Sequence, residues 1–374
     1  MTLKTFPGER QWNVDRYESL PMSLDAVFTA QLRQSADRLF HLIDQFSQAK
    51  ILIVGDLTLD EFMTGQVERV SREAPVLILR HETTRQVPGG GANAVYNFAQ
   101  LGATVKAVGL LGKDQQGQAI QQIFLDAGID TQGIFLDPNR PTITKTRISG
   151  HARQSVTQQI VRIDRKSDDL PSIDLQQQLA DYIYQQVKTV DAIVCSDYGD
   201  GTLTQPVIDA VLTHPLAIVD AQAGLDRYQK ATLFTPNLPE AELAVGYKIT
   251  NAVTLSQAGR DLLNITQAQQ FLITRGDQGM TLFDRDGTEQ HIPAFNRTDV
   301  YDVTGAGDTV VAALTLGLAA GATFWEAAVL GNLAASIVVR QFGTTTTNPN
   351  EMKAALEALL DEWSDPKSTN ECNR

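Results

Sequence analysis

From residue 51 onward, short β-branched runs alternate with helical patterns, and this alternation limits the fold more than any other feature of the chain. The runs at 51–54, 105–110, 192–195, 216–219, 232–234 and 271–274 have the length and apolar character of strands buried on both faces. Between them, 93–101, 115–127, 175–187, 205–212, 240–245 and 255–263 carry helical spacing. Such a series predicts an α/β fold: a doubly wound, mostly parallel sheet with helices on both faces, joined by right-handed crossovers. Two stretches break the pattern. Residues 61–81 and 142–163 alternate apolar and polar side chains without a helical partner, as exposed antiparallel strands do, and are expected to form a small β lid over the strand ends.

Residues 1–50 read as an N-terminal extension whose 24–46 portion is an amphipathic helix, 51–350 as the main domain, and 351–374 as a C-terminal helix and polar tail. A chain of 374 residues with 43% hydrophobic content can bury a large core. Its formal charge of −13 argues against nucleic acid or an anionic membrane as partner. Cys195 and Cys372 are too few for a disulfide framework, and Cys195 lies inside an apolar run, where it reads as core. Residues 1–14 lack an apolar segment, and the longest apolar run, around 310–322, is interrupted by Thr and Gly. The expectation is a cytoplasmic protein. His41, His81, His151, His214 and His291 are scattered without ligand spacing, which speaks against a histidine metal site.

The loops after the strands carry the chemistry. Tyr301-Asp302-Val303-Thr304-Gly305-Ala306-Gly307-Asp308-Thr309 places small residues and a carboxylate where a loop turns into a helix. Backbone N–H groups at Gly305, Ala306 and Gly307, with the helix N-terminus behind them, favour an anion. Asp308 would repel a phosphate, so its work is to take a proton from an attacking hydroxyl; a helix cap with turn glycines satisfies the same residues. A second cluster, Pro88-Gly89-Gly90-Gly91-Ala92-Asn93, lets a ligand approach the backbone and offers the Asn93 amide to hydroxyls, or is a flexible loop entering a helix. Asp56 and Asp60 follow the first strand, at the end of the sheet where open α/β folds bind ligands. Thr235-Pro236-Asn237-Leu238-Pro239-Glu240 has the form of a capping box, and Thr274-Arg275-Gly276-Asp277-Gln278-Gly279 either meets phosphate or makes a hairpin turn.

In this order, Gly-Asp, Gly-Gly-x-x-Asn, Thr-Pro-Asn-x-x-Glu, Thr-Arg-Gly-x-x-Gly and Asp-x-Thr-Gly-Ala-Gly-Asp resemble the ribokinase-like (PfkB) carbohydrate kinases from Ile51 to about Asn350. The resemblance implies a ribokinase-like fold with a lid that often mediates dimerisation, and ATP-dependent phosphorylation of a sugar hydroxyl. It makes Asp308 the base and Gly305, Ala306 and Gly307 the anion hole. Asn237 and Glu240 would organise hydrated Mg2+, Thr274, Arg275 and Gly276 would contact the ATP phosphates, and Asn332 and Gly343 would flank adenine. Asp302 and Thr304 match positions that help hold a monovalent cation such as K+.

Within that family, Val70-Ser71-Arg72-Glu73-Ala74-Pro75-Val76, Thr144-Lys145-x-Arg147, Gln158-Gln159-x-x-Arg162-x-Asp164 and Ser196-Asp197-Tyr198 resemble the kinase domain of heptose-7-phosphate 1-kinases, which is similar to the first half of the bifunctional ADP-heptose synthases of lipopolysaccharide core formation. The implied acceptor is O1 of D-glycero-β-D-manno-heptose 7-phosphate. Asp56, Asp60, Gly89, Gly90 and Asn93 would hold the sugar. Its phosphate needs basic groups far from Asp308, for which Lys145, Arg147 and Arg162 are the candidates, a solvated strand face being the other account of each. Two departures stand out: Asp220-Ala221-Gln222-Ala223 occupies the place where these kinases usually show Asp-Pro-Lys-Gly, and no His-x-Gly-His nucleotidyltransferase motif occurs, so a kinase alone is expected. Another sugar kinase of this fold, acting on ribose, fructose, a hexose phosphate or a nucleoside, and a catalytically silent sugar-binding regulator remain the alternatives.

Overall fold

The computed structural model describes residues 22–152, 156–296, 300, 302–341 and 343–362; Tyr301, Cys372, the first 21 residues and the polar tail lie outside them. Its larger sheet runs, from one edge to the other, β13 (Glu289–Ile292), β12 (Met280–Asp284), β11 (Gln270–Thr274), β10 (Leu233–Phe234), β9 (Ala217–Ala221), β8 (Ala192–Asp197), β1 (Lys50–Gly55), β4 (Thr104–Gly112) and β5 (Asp130–Asp137). Pairing is parallel from β5 to β11 and antiparallel from β11 through β12 to β13. The expected parallel strands are all present; β5 and the β12–β13 edge, which lack a distinct apolar run, are added by the structure.

Alternation along the strands divides the core into two layers. Ile51 and Ile53 of β1 and Val194 of β8 face helices α1 (Met22–Gln45), α2 (Gly91–Gln100), α3 (Gln115–Asp126), α8 (Ala306–Ala319), α9 (Phe324–Val338) and α10 (Pro349–Glu362). Leu52 and Val54 of β1 and Cys195 of β8 face α4 (Ile173–Gln186), α5 (Gln205–Val211), α6 (Leu238–Val245) and α7 (Ala252–Thr266). Helix α1 buries Phe28, Leu32, Leu39, Leu42 and Ile43, the stripe its spacing calls for, and Phe28 meets Phe295 and Trp325 at ring separations of 5.9 and 5.8 Å. Among the described residues, no helix is long and apolar enough to cross a membrane.

The two irregular stretches form a separate sheet in the order β3 (Leu77–Gly90), β2 (Leu57–Val70), β6 (Ile143–His151), β7 (Gln158–Arg165). Here the expectation of purely antiparallel strands is corrected. Two antiparallel hairpins, β2–β3 and β6–β7, are joined by the parallel pair β2–β6. Strands β2 and β6 both leave the same end of the larger sheet, so they lie side by side in the same direction. Every residue of β7 is exposed.

Candidate functional site

Asp308, Asp56, Tyr198, Asp220, Asn237 and Thr274 gather at the C-terminal ends of the parallel strands, the end at which open α/β sheets form their binding crevice. Asp308 lies in the first turn of α8 and is only 4% exposed. Asn93, in the first turn of α2, donates from Nδ2 to Asp308 Oδ2 at 2.6 Å, and the Tyr198 hydroxyl donates to Oδ1 at 3.2 Å. Each carboxylate oxygen keeps a further lone pair for an incoming proton. Burial pushes the Asp308 carboxyl up to about 6 despite these two donors; nearby Asp60 raises it further and Lys145 lowers it.

Glycine is required at two of the positions around this base. Gly305 caps α8 in the left-handed region, at φ 79°, and a Cβ there would fall 2.8 Å from Asn93 Nδ2. A Cβ on Gly89 would lie 2.6 Å from the Asp60 carboxyl carbon. At Gly307, by contrast, the space a side chain would fill is open to the crevice. Of the three expected anion-hole residues, Ala306 donates its N–H to the Val303 carbonyl at 3.2 Å, which leaves the open approach at Gly307.

The acidic residues after β1 do different things. Asp56 is fully buried and accepts three backbone N–H groups, from Tyr198, Asp200 and Thr202, at 2.9 to 3.0 Å. It holds the loop that carries Tyr198 against the base. Desolvation raises its carboxyl and nearby Asp197 pushes the same way, although the bonds from Asp200 and Thr202 pull it down. Asp60 is buried, pairs with Arg147 at 2.9 Å and lies near enough to Asp308 to act on its carboxyl.

On the other side of Asp308, Asn237 and Glu240 form the capping box of α6, each side chain bonded to the other's backbone N–H. Thr274 is bridged to Asn237 and donates its N–H to Pro236 O at 2.9 Å, so the two expected nucleotide contacts are neighbours. Arg275 folds back on its own turn, with Nη2 3.0 Å from Gln278 O, and Gly276 opens that turn between β11 and β12. Burial raises the Glu240 carboxyl, while Asn237 lowers it. Asn332 donates to Pro293 O at 2.6 Å and Gly343 donates its N–H to Asp302 Oδ2 at 3.0 Å. Asp302 also accepts from the backbone and hydroxyl of Thr304. Burial would raise its carboxyl, but those bonds, with Gly343 and Arg147, hold it below the usual range.

Two residues escaped the search for site residues. Tyr198 is placed by the end of β8, and burial together with the carboxylates around it keeps its phenol protonated. Asp220, at the end of β9, is pushed well up by burial and by Asp308 and Glu240, and only the Thr235 hydroxyl, at 3.3 Å, eases it. The signal that singled out Asp56 and Asp60, an acid at the C-terminal end of a parallel strand, was equally available for Asp220. Asp220 and Glu240 next to an open glycine turn suit a hydrated divalent cation; among the described residues no three acidic, histidine or cysteine side chains converge as direct ligands.

The lid candidates separate. Lys145 lies 5.5 Å from the Tyr198 ring centroid and within electrostatic reach of Asp308, so it is not far from the base as the sequence led one to expect. Arg147 packs over Phe62 at 5.2 Å and pairs with Asp60. Arg162, on the exposed β7, pairs at 2.8 Å with Asp164 of its own strand.

A sequence model described as the pfkB family carbohydrate kinase matches residues 48–351. The bifunctional protein HldE of Geotalea uraniireducens is 39% identical over 84% of this chain and 64% of its own length, and that of Geobacter metallireducens is 41% identical over 80% and 61%. The chain thus spans less than two thirds of the length of these relatives. Phosphofructokinase-2 from Escherichia coli in complex with potassium superposes with a TM-score of 0.66 at 20% identity, covering 83% of this chain and 99% of its own. Arabidopsis thaliana ribokinase complexed with ribose and ATP gives 0.65 at 20%, covering 83% and 98%. These two likenesses are of fold.

Proposed function

The chain belongs to the pfkB family of carbohydrate kinases, and we propose that the acceptor of its ATP-dependent phosphoryl transfer is O1 of D-glycero-β-D-manno-heptose 7-phosphate, in the formation of ADP-heptose for lipopolysaccharide core. The observation that carries this choice is the motif Thr144-Lys145-x-Arg147 on β6, which sets Lys145 beside Asp308 and Arg147, over Phe62, two residues further along the strand. A phosphorylated acceptor needs such charge; ribose or adenosine does not.

In this mechanism Asp308 takes the proton of the acceptor hydroxyl as its oxygen bonds to the γ-phosphorus and the bond to the bridging oxygen of ADP breaks. Asn93 and Tyr198 hold the carboxylate in place, and Asp56, through its loop, holds Tyr198. The N-terminus of α8 at Gly305–Gly307 faces the negative charge of the transferring group. Asn237, Thr274, Arg275 and Gly276 hold the nucleotide, with Asn332 beside adenine, while Gly343 stays bonded to Asp302. Mg2+ near Glu240 and Asp220 would neutralise phosphate charge when bound. K+ near Asp302 and Thr304 is proposed on the likeness to the potassium complex of phosphofructokinase-2. We also place the protein in the cytoplasm, as a homodimer paired through the small sheet.

Coupled ADP release with ATP and Mg2+ tests this across the heptose phosphate, ribose, fructose, fructose 6-phosphate and adenosine. Turnover confined to the heptose phosphate, with Asp308→Asn slower by about 100- to 10,000-fold, is expected. Preference for another acceptor discards the heptose assignment, and silence on all five favours a sugar-binding protein without catalysis.

A further inference from the structure

Strand register brings Arg85 of β3, Phe62 of β2, Arg147 of β6 and Arg162 of β7 into one row across the small sheet. In-register neighbours share a face, so this row stands beside Asp60 and Lys145, one step nearer the larger sheet. The Phe62 ring lies between two guanidinium groups, with Arg85 Cζ at 5.1 Å and Arg147 Cζ at 5.2 Å from its centroid. A guanidinium held over a ring is attracted to its face while its N–H groups stay available to donate. The same Arg85 lies beside Gly343, whose N–H is bonded to Asp302, with Nη2 3.3 Å from where a Gly343 Cβ would stand.

The cations of this face differ in what already neutralises them. Arg147 is paired with Asp60 and Arg162 with Asp164, while Lys145 sits against Tyr198 beside the base. Arg85 has no carboxylate within ion-pair distance among the described residues, in a chain whose acidic side chains outnumber its basic ones. An uncompensated guanidinium beside Asp302's loop can take an anion through two of its own N–H groups, with Arg147 across the ring adding positive charge to the same face.

We infer that Arg85, held over the Phe62 ring with Arg147 on the neighbouring strand, binds the phosphate that the acceptor already carries, and that this contact selects phosphorylated over unphosphorylated sugars. The inference rests on the acceptor being a sugar phosphate. Arg85 is a specificity residue and takes no part in the transfer itself: its charge meets the end of the acceptor remote from the attacking oxygen.

The test compares wild type, Arg85→Ala and Arg85→Lys on the phosphorylated acceptor that wild type turns over and on the same sugar without its phosphate. Loss of a charge-assisted contact predicts a KM for the phosphorylated acceptor about 10- to 100-fold higher in Arg85→Ala. The KM for ATP should stay within about twofold, and Arg85→Lys should recover part of the loss. If wild type prefers fructose 6-phosphate to the heptose phosphate, the heptose assignment fails and the same comparison on fructose 6-phosphate still decides on Arg85. An unchanged KM in Arg85→Ala, an equal loss on both forms of the sugar, or a wild type that uses only unphosphorylated sugars overturns the inference.

Discussion

Burying Asp308 at the start of α8 removes water from its carboxylate, and Asn93 and Tyr198 replace that water only in part, so the group titrates at about 6. A base must be ionised to accept a proton, so kcat/KM should fall about tenfold per pH unit below 6 and level off above it. A profile still flat at pH 4.5 would take Asp308 out of that role. The same shift acts on stability with a definite sign. The folded state binds this proton more tightly than the unfolded chain, so stability from this group is fullest below pH 3.8 and is lost as pH rises through about 6. The loss approaches about 3 kcal/mol, and Asp308→Asn, which cannot ionise, should melt at a higher temperature than wild type at pH 7.5. Asp308 itself was legible in the sequence because it directly follows Gly305 and Gly307 at the start of a helix, where few uses for a carboxylate remain. Tyr198 was not, because it owes its place to the end of a strand from a different part of the chain; Asp220 carried the same strand-end signal as Asp56, and its closeness to Asp308 and Glu240 came only from strand order.

Helix α1 shows how an extension becomes part of the core. Its Leu32, Leu39 and Leu42 fall on one face and are fully buried among α9, α10 and the larger sheet. Leu39→Ala is expected to lower stability by about 2 to 5 kcal/mol, read as an earlier urea midpoint with the slope unchanged. A change below about 1 kcal/mol would mean that α1 is dispensable to the fold. Its amphipathic spacing was visible in advance, as were the β1, β4, β8 and β11 runs. The antiparallel edge β12–β13 was not, since its alternation is too short and too polar to stand out from loop. Nor was the parallel pairing of β2 with β6: period-two alternation states that a strand has two faces and says nothing of its neighbour's direction.

The small sheet ends at β7, whose backbone edge and apolar Ile160, Val161 and Ile163 are exposed at 41%, 45% and 52%. Unprotected edges of this kind associate, and the proposed homodimer would cover this one. Val161→Asp with Ile163→Asp should then sediment as a monomer while wild type sediments as a dimer; equal sedimentation of the two proteins would remove β7 from any interface.

What the sequence determined by itself was local or periodic in origin: the alternation of strand and helix, the buried stripe of α1, and the Asp308 that follows two glycines, for all of which neighbouring residues suffice. Only the tertiary structure decided that Asn93 and Tyr198 clasp one carboxylate, that Asp56 serves a loop more than 140 residues away in sequence, and that Arg85 shares Phe62 with Arg147. Those relations depend on strand order and register, which are set by how whole faces pack against each other.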